Sequence, residues 1–116
     1  MASSQSLVTE GLVAFVKRAC PTCTLIEEQM QAVAREVPQF RVVSQDDPGF
    51  PAAVEGVVDD RELDHSWRNK IEATPTLIRY QAGREVERVV GWDRDGWRRL
   101  TGMAGLGEGL PQIRPG

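Results

Sequence analysis

Apolar residues change rhythm several times along the chain, and each change marks an element. Leu12-Val13-Ala14-Phe15-Val16 is a continuous, partly β-branched run, too short for a helix and suited to a strand buried on both faces. Ile26, Met30, Val33 and Val37 then recur at i, i+4, i+7 and i+11, while Glu27, Glu28, Gln29, Gln31, Arg35 and Glu36 fall on the other side. That spacing predicts a helix over 22–37, ended by Pro38. Phe40, Val42 and Val43 make the next short strand, and a strand, a helix and a strand with tight connections form a βαβ unit whose strands lie parallel. Gln45-Asp46-Asp47-Pro48-Gly49 closes it with a turn.

The second half starts less clearly. Val54, Val57 and Val58 fit either one helical turn or a loop packed on the core. Asp60 is placed to cap a helix over 61–72, in which Leu63, Trp67 and Ile71 repeat every four residues. Trp67 is then expected as a core anchor, and His65, two positions off that stripe, as a solvent-facing side chain and not a catalytic base. Leu77 to Tyr80, the turn at 81–83, and Val86, Val89 and Val90 read as a β-hairpin. Gly91-Trp92 ends its second strand, and Asp93 can cap a last helix through Trp97, Leu100 and Met103. The architecture implied is α/β: a central mixed sheet, built from the βαβ unit and a following ββα unit, flanked by helices. Residues 1–116 read as one domain with flexible ends at 1–7 and 105–116, and within 1–10 Leu7 and Val8 make at most a lead-in or a weak edge strand.

Composition narrows the function without choosing it. A length of 116 residues suits one core and not two. With 14 basic against 17 acidic side chains and no basic cluster, neither nucleic acid nor an anionic membrane is an expected partner. No apolar stretch reaches the length of a membrane span, and the first residues lack the pattern of a signal peptide. A cytoplasmic monomer is the expectation, or a periplasmic or secreted one if a leader has been removed.

The chemistry lies in Cys20-Pro21-Thr22-Cys23, which holds the only two cysteines. Cys20 falls where the first strand gives way to the helix, and Pro21 fits the first helical position, where its missing N–H is not needed. Free N–H groups at such a helix start favour a thiolate over a thiol. Cys20 is therefore expected as the nucleophile, with Lys17 and Arg18 adding positive charge. Cys23, one turn further in, is expected to resolve a mixed disulfide formed on Cys20. Half of a zinc site and a pair of inert buried thiols are the competing readings. Zinc would have only His65 and carboxylates to complete its four ligands.

The order strand, C-x-x-C, helix, strand, helix, Thr-Pro-Thr strand, hairpin partner, Gly, helix resembles the thioredoxin superfamily over roughly residues 8–104. The resemblance implies a thiol–disulfide oxidoreductase with Cys20 and Cys23 as its redox pair, and needs no metal or organic cofactor. It implies a cis bond at Thr74-Pro75, facing the dithiol. Pro21, Thr22, Thr74, Pro75, Gly91 and Trp92 would be the surface that meets substrate. Its partners would be a protein or small-molecule disulfide and an upstream thiol reductant or reductase. A redox-sensing or binding module of a larger protein, without efficient turnover, is the alternative. The chain departs from ordinary thioredoxins in having Ala14 in place of their buried Asp and Ala19 in place of the Trp before the first Cys. It also carries extra residues around 49–62, which would either flank the redox site or form a harmless surface excursion.

Overall fold

The computed structural model describes residues 10–116. The expected edge strand at Leu7 and Val8 lies outside them. Five strands form a mixed sheet in the order β3 (Val58–Asp59), β2 (Phe40–Ser44), β1 (Gly11–Val16), β4 (Thr76–Gln81), β5 (Arg84–Val90). β1 runs parallel to β2 and antiparallel to β4, so the central strand joins the two halves predicted from sequence. Gly11 is required at its start: φ is 114°, and a Cβ there would collide with the Gln39 backbone whose carbonyl accepts the Leu12 N–H.

The unbroken apolar run of β1 is explained by layers on both sides. Leu12, Ala14 and Val16 face a large core with Met30, Val33, Leu77, Trp97 and Leu100, while Val13 and Phe15 face a smaller one with Val43 and Ile78. Helices α1 (Pro21–Leu25), α2 (Glu27–Glu36) and α4 (Arg94–Thr101) contribute to the larger core. The helix expected over 22–37 is thus broken at Ile26, where φ is −102° and ψ 15°. Near the break, the Thr24 hydroxyl donates to the Pro21 carbonyl three residues back, a bond that competes with the helical ladder and bends it. Asp93 caps α4 as its position suggested, accepting from the Gly96 N–H.

The second half corrects several expectations. Helix α3 spans only Asp64–Arg68, bracketed by left-handed residues at Leu63 (φ 64°) and Lys70 (φ 56°). Leu63 and Ile71 are outside it, so the four-residue stripe never forms one face, and Trp67 is 82% exposed. The core tryptophans are Trp92 and Trp97, tilted against each other with ring centroids 5.4 Å apart. Asp60 does bond the helix start, although the turn 61–63 intervenes. Its buried carboxylate accepts from the His65 and Ser66 N–H groups and the Ser66 hydroxyl. His65 is half-buried, not solvent-facing.

The extra residues around 49–62 are built into the fold. Phe50 enters the larger core, Ala52 exchanges hydrogen bonds with Glu27 and Gln31 on α2, and β3 extends the sheet beyond β2. Residues 105–116 are not a loose tail either. Leu106 is buried, and β7 (Ile113–Arg114) pairs antiparallel with β6 (Trp92–Asp93). Aperiodic sequence hid this packing because most of its bonds are made by the tail's backbone. Among the described residues no helix is long and apolar enough to cross a membrane.

Candidate functional site

Cys20 caps the N-terminus of α1, and Pro21 occupies its first turn. The cap is made by sulfur: the Cys23 N–H points at Cys20 Sγ, 3.3 Å away. From the other side, the Cys20 thiol donates to the Thr74 carbonyl at 3.3 Å, which joins the C-P-T-C turn to the loop ahead of β4. The Thr74–Pro75 peptide bond is cis, as is Phe50–Pro51. Both thiols are free, Cys20 only 5% exposed and Cys23 fully buried.

Their environments drive the two thiols apart. Burial pushes Cys20 up, but hydrogen bonds from the Cys23 side chain and N–H, the Thr74 side chain and the Thr22 N–H outweigh it, and the net direction is downward. Cys23 is pushed up to about 12 by its own burial, with the Cys20 sulfur beside it acting the same way. The difference comes first from the deeper burial of Cys23, and then from the hydrogen bonds that Cys20 receives. Because α1 is one short turn broken at Ile26, these local donors matter more here than a long helix dipole.

Asp46, read from sequence only as part of a turn, holds the loop that delivers Cys20. Its carboxylate accepts the backbone N–H groups of Arg18 (2.7 Å) and Ala19 (3.0 Å). Beside it, the Arg18 guanidinium pairs with the Asp47 carboxylate at 2.9 Å. A carboxylate-rich stretch right after a parallel strand was the available signal, since such turns lie at the same sheet edge as the preceding strand's exit.

The other expected site residues divide. Thr22, Thr74 and Pro75 are buried around the dithiol, and Pro21 is exposed beside it. Gly91 is bound to this group, its N–H donating to the Pro75 carbonyl at 2.7 Å. Trp92 does not fit an accessible substrate contact: it is fully buried, with its indole N–H donating to the Pro111 carbonyl at 2.8 Å. Gly91, left-handed at φ 77°, ends the alternation of β5 between Val90 and Trp92, and the tryptophan enters the larger core, opposite to the expectation. Trp67, by contrast, lies near the site, sharing a cavity of about 280 Å³ with Lys17, Leu63, Ile71 and Thr74. Among the described residues no group of three or more His, Cys, Asp or Glu side chains is placed to hold a metal.

No family model and no curated protein matches the chain. Solved structures do. A thioredoxin of Fasciola hepatica aligns at 22% identity over 78% of this chain and 76% of its own, with a TM-score of 0.58. Mitochondrial thioredoxin 3 of Saccharomyces cerevisiae aligns at 14% identity over 87% and 85%, with a TM-score of 0.60. The chain has the thioredoxin fold. A Plasmodium falciparum thioredoxin, 19% identical over 86% of each chain with a TM-score of 0.58, is similar to the same extent. On this thioredoxin fold the sheet order and the cysteine-capped helix stand together, with Ala14 buried in the same core as the two cysteines and Ala19 exposed.

Proposed function

We propose that this protein is a thiol–disulfide oxidoreductase working through Cys20 and Cys23. The observation that carries the reading is the split between the two thiols: one sulfur receives N–H groups and is held toward the thiolate, while its neighbour is held protonated until needed. In the reducing direction, the Cys20 thiolate attacks one sulfur of a partner disulfide. A mixed disulfide forms and the first partner sulfur leaves as a thiolate. Cys23 then loses its proton and attacks Cys20 Sγ, closing the Cys20–Cys23 disulfide and releasing the second partner sulfur, so that two electrons pass to the partner. With Ala14 where ordinary thioredoxins carry an acid, the Cys23 proton goes to the departing thiolate or to water. An upstream thiol reductant or reductase returns the pair to its reduced form. Substrates are protein or small-molecule disulfides, and the working unit is a monomer.

Insulin reduction with dithiothreitol as electron source tests turnover. Cys23→Ser should abolish it and accumulate mixed disulfides through Cys20, whereas Cys20→Ser should abolish it and accumulate few. Trapping by the wrong variant would reverse the assigned roles. The 5% exposure of Cys20 favours a second reading, a redox-sensing module whose dithiol switches state without rapid turnover. Background-rate insulin reduction together with a clean, reversible Cys20–Cys23 disulfide would support that reading over the first.

A further inference from the structure

The C-terminal segment crosses the dithiol. Thr22, between the two cysteines, donates its hydroxyl to the Pro115 carbonyl at 2.7 Å. Gly116 lies so close to Thr74 that a Cβ on it would collide with the Thr74 carbonyl, the same carbonyl that accepts the Cys20 thiol. Residues of this segment also cover Gly91, where Arg114 and Pro115 approach from above. Thr22, Thr74 and Gly91 are three of the positions that a partner would have to reach.

We propose that residues 111–116 are a displaceable strap, which closes over the Cys20–Cys23 site and must swing away before a bulky disulfide partner can reach Cys20. The inference rests on the oxidoreductase reading only for what the partner is; the closure itself is geometric. The root of the strap is fixed. Leu106 is buried, Gly107 packs directly against the Trp92 ring and donates its N–H to Gln29, and Arg98 donates to the Leu106 carbonyl. Beyond Leu110 the character changes, and every residue from 111 to 116 is exposed.

The strap is therefore held by hydrogen bonds and not by buried apolar surface. Trp92 donates to the Pro111 carbonyl, the Arg94 N–H to the Gln112 carbonyl, and the Arg94 guanidinium to the Leu110 carbonyl and the Gln112 side chain. The two-residue β6–β7 pairing and the Thr22 hydroxyl complete the attachment. Each bond is replaced by water on opening, and the freed residues regain backbone freedom, so closing is opposed at every residue by entropy. A strap open one-tenth of the time slows a reaction that needs the open state about tenfold.

Full-length variants test this without altering the dithiol. Pro111→Gly with Pro115→Gly raises the freedom of the detached strap, and Arg94→Met removes the guanidinium clamp while keeping an apolar stem. The readouts are exchange of the Trp92 indole N–H and the rates at which reduced protein reacts with a bulky maleimide and with iodoacetamide. The triple variant should expose the indole N–H and accelerate the maleimide at least fivefold, with a smaller gain for iodoacetamide. Faster indole exchange with unchanged thiol rates would overturn the proposal, and so would an indole N–H that stays equally protected in the triple variant. Neither readout requires turnover, so a protein inactive on insulin that still shows the maleimide gain would sink the oxidoreductase reading and leave the strap standing.

Discussion

At the scale of single residues, the site is a contrast between two identical side chains. Sequence position anticipated it, because a residue at a helix cap meets N–H groups and one a turn later meets the core. The contrast gives the reduced protein a definite pH dependence. Cys23 is an acid whose folded pKa is raised from 9.0 to about 12, so the folded state keeps a proton that the unfolded chain releases. Its contribution to stability is complete below pH 9 and is lost between pH 9 and 12, by up to roughly 4 kcal/mol at 1.36 kcal/mol per decade. Cys20 has the opposite sign, and what it contributes is already fully present above pH 9. Tyr80, also raised to about 12, acts in both redox forms and cancels from their comparison. Urea unfolding should therefore show the reduced protein losing more stability than the oxidised one between pH 9 and 11. Parallel losses would mean that Cys23 is not held protonated.

At the scale of elements, periodicity succeeded where a stripe had a partner surface and failed where the backbone interrupted it. Met30 and Val33 are buried as their spacing required, even though a break at Ile26 divides their helix from the turn that carries the cysteines. Trp67 had equally good spacing, but left-handed residues at Leu63 and Lys70 leave only five residues of helix to carry it. The two kinds of tryptophan should respond differently to truncation. Trp67→Ala is expected to change unfolding free energy by less than about 0.5 kcal/mol, as an exposed substitution. Trp97→Ala should cost about 3–5 kcal/mol through the cavity it leaves in the larger core. Denaturant melts of the two variants check this, and comparable losses would contradict the burial assigned to both.

At the scale of the whole molecule, stability should be graded outward from β1. That strand has neighbours on both sides and cores on both faces, and its residues from Leu12 to Val16 are almost completely buried. β3 and β7 are two-residue strands at the margins. Amide exchange should accordingly be slowest at Val13 to Phe15, approaching the rate set by global unfolding, and fastest in 111–116. Protection of 111–116 equal to that of β1 would argue that the C-terminal segment is an integral strand and not a strap.

The strand runs, the helix around Met30, the hairpin, the cap at Asp93 and the cysteine pair were determined by sequence alone, because each depends on residues a few positions apart. Local spacing sets which side of an element is apolar, and covalent proximity keeps Cys20 and Cys23 together in any fold that starts a helix there. Only the tertiary structure decided that Trp92, and not Trp67, joins Trp97 in the core, that residues 50–59 complete the sheet, and that 111–116 lie across the dithiol. Those outcomes depend on partners distant in the chain: Glu27 and Gln31 for Ala52, Asp46 for the loop before Cys20, Trp92 and Arg94 for the strap. A backbone carbonyl has the same acceptor whatever its side chain, so no pattern of residue types at 105–116 could reveal which donor it would meet.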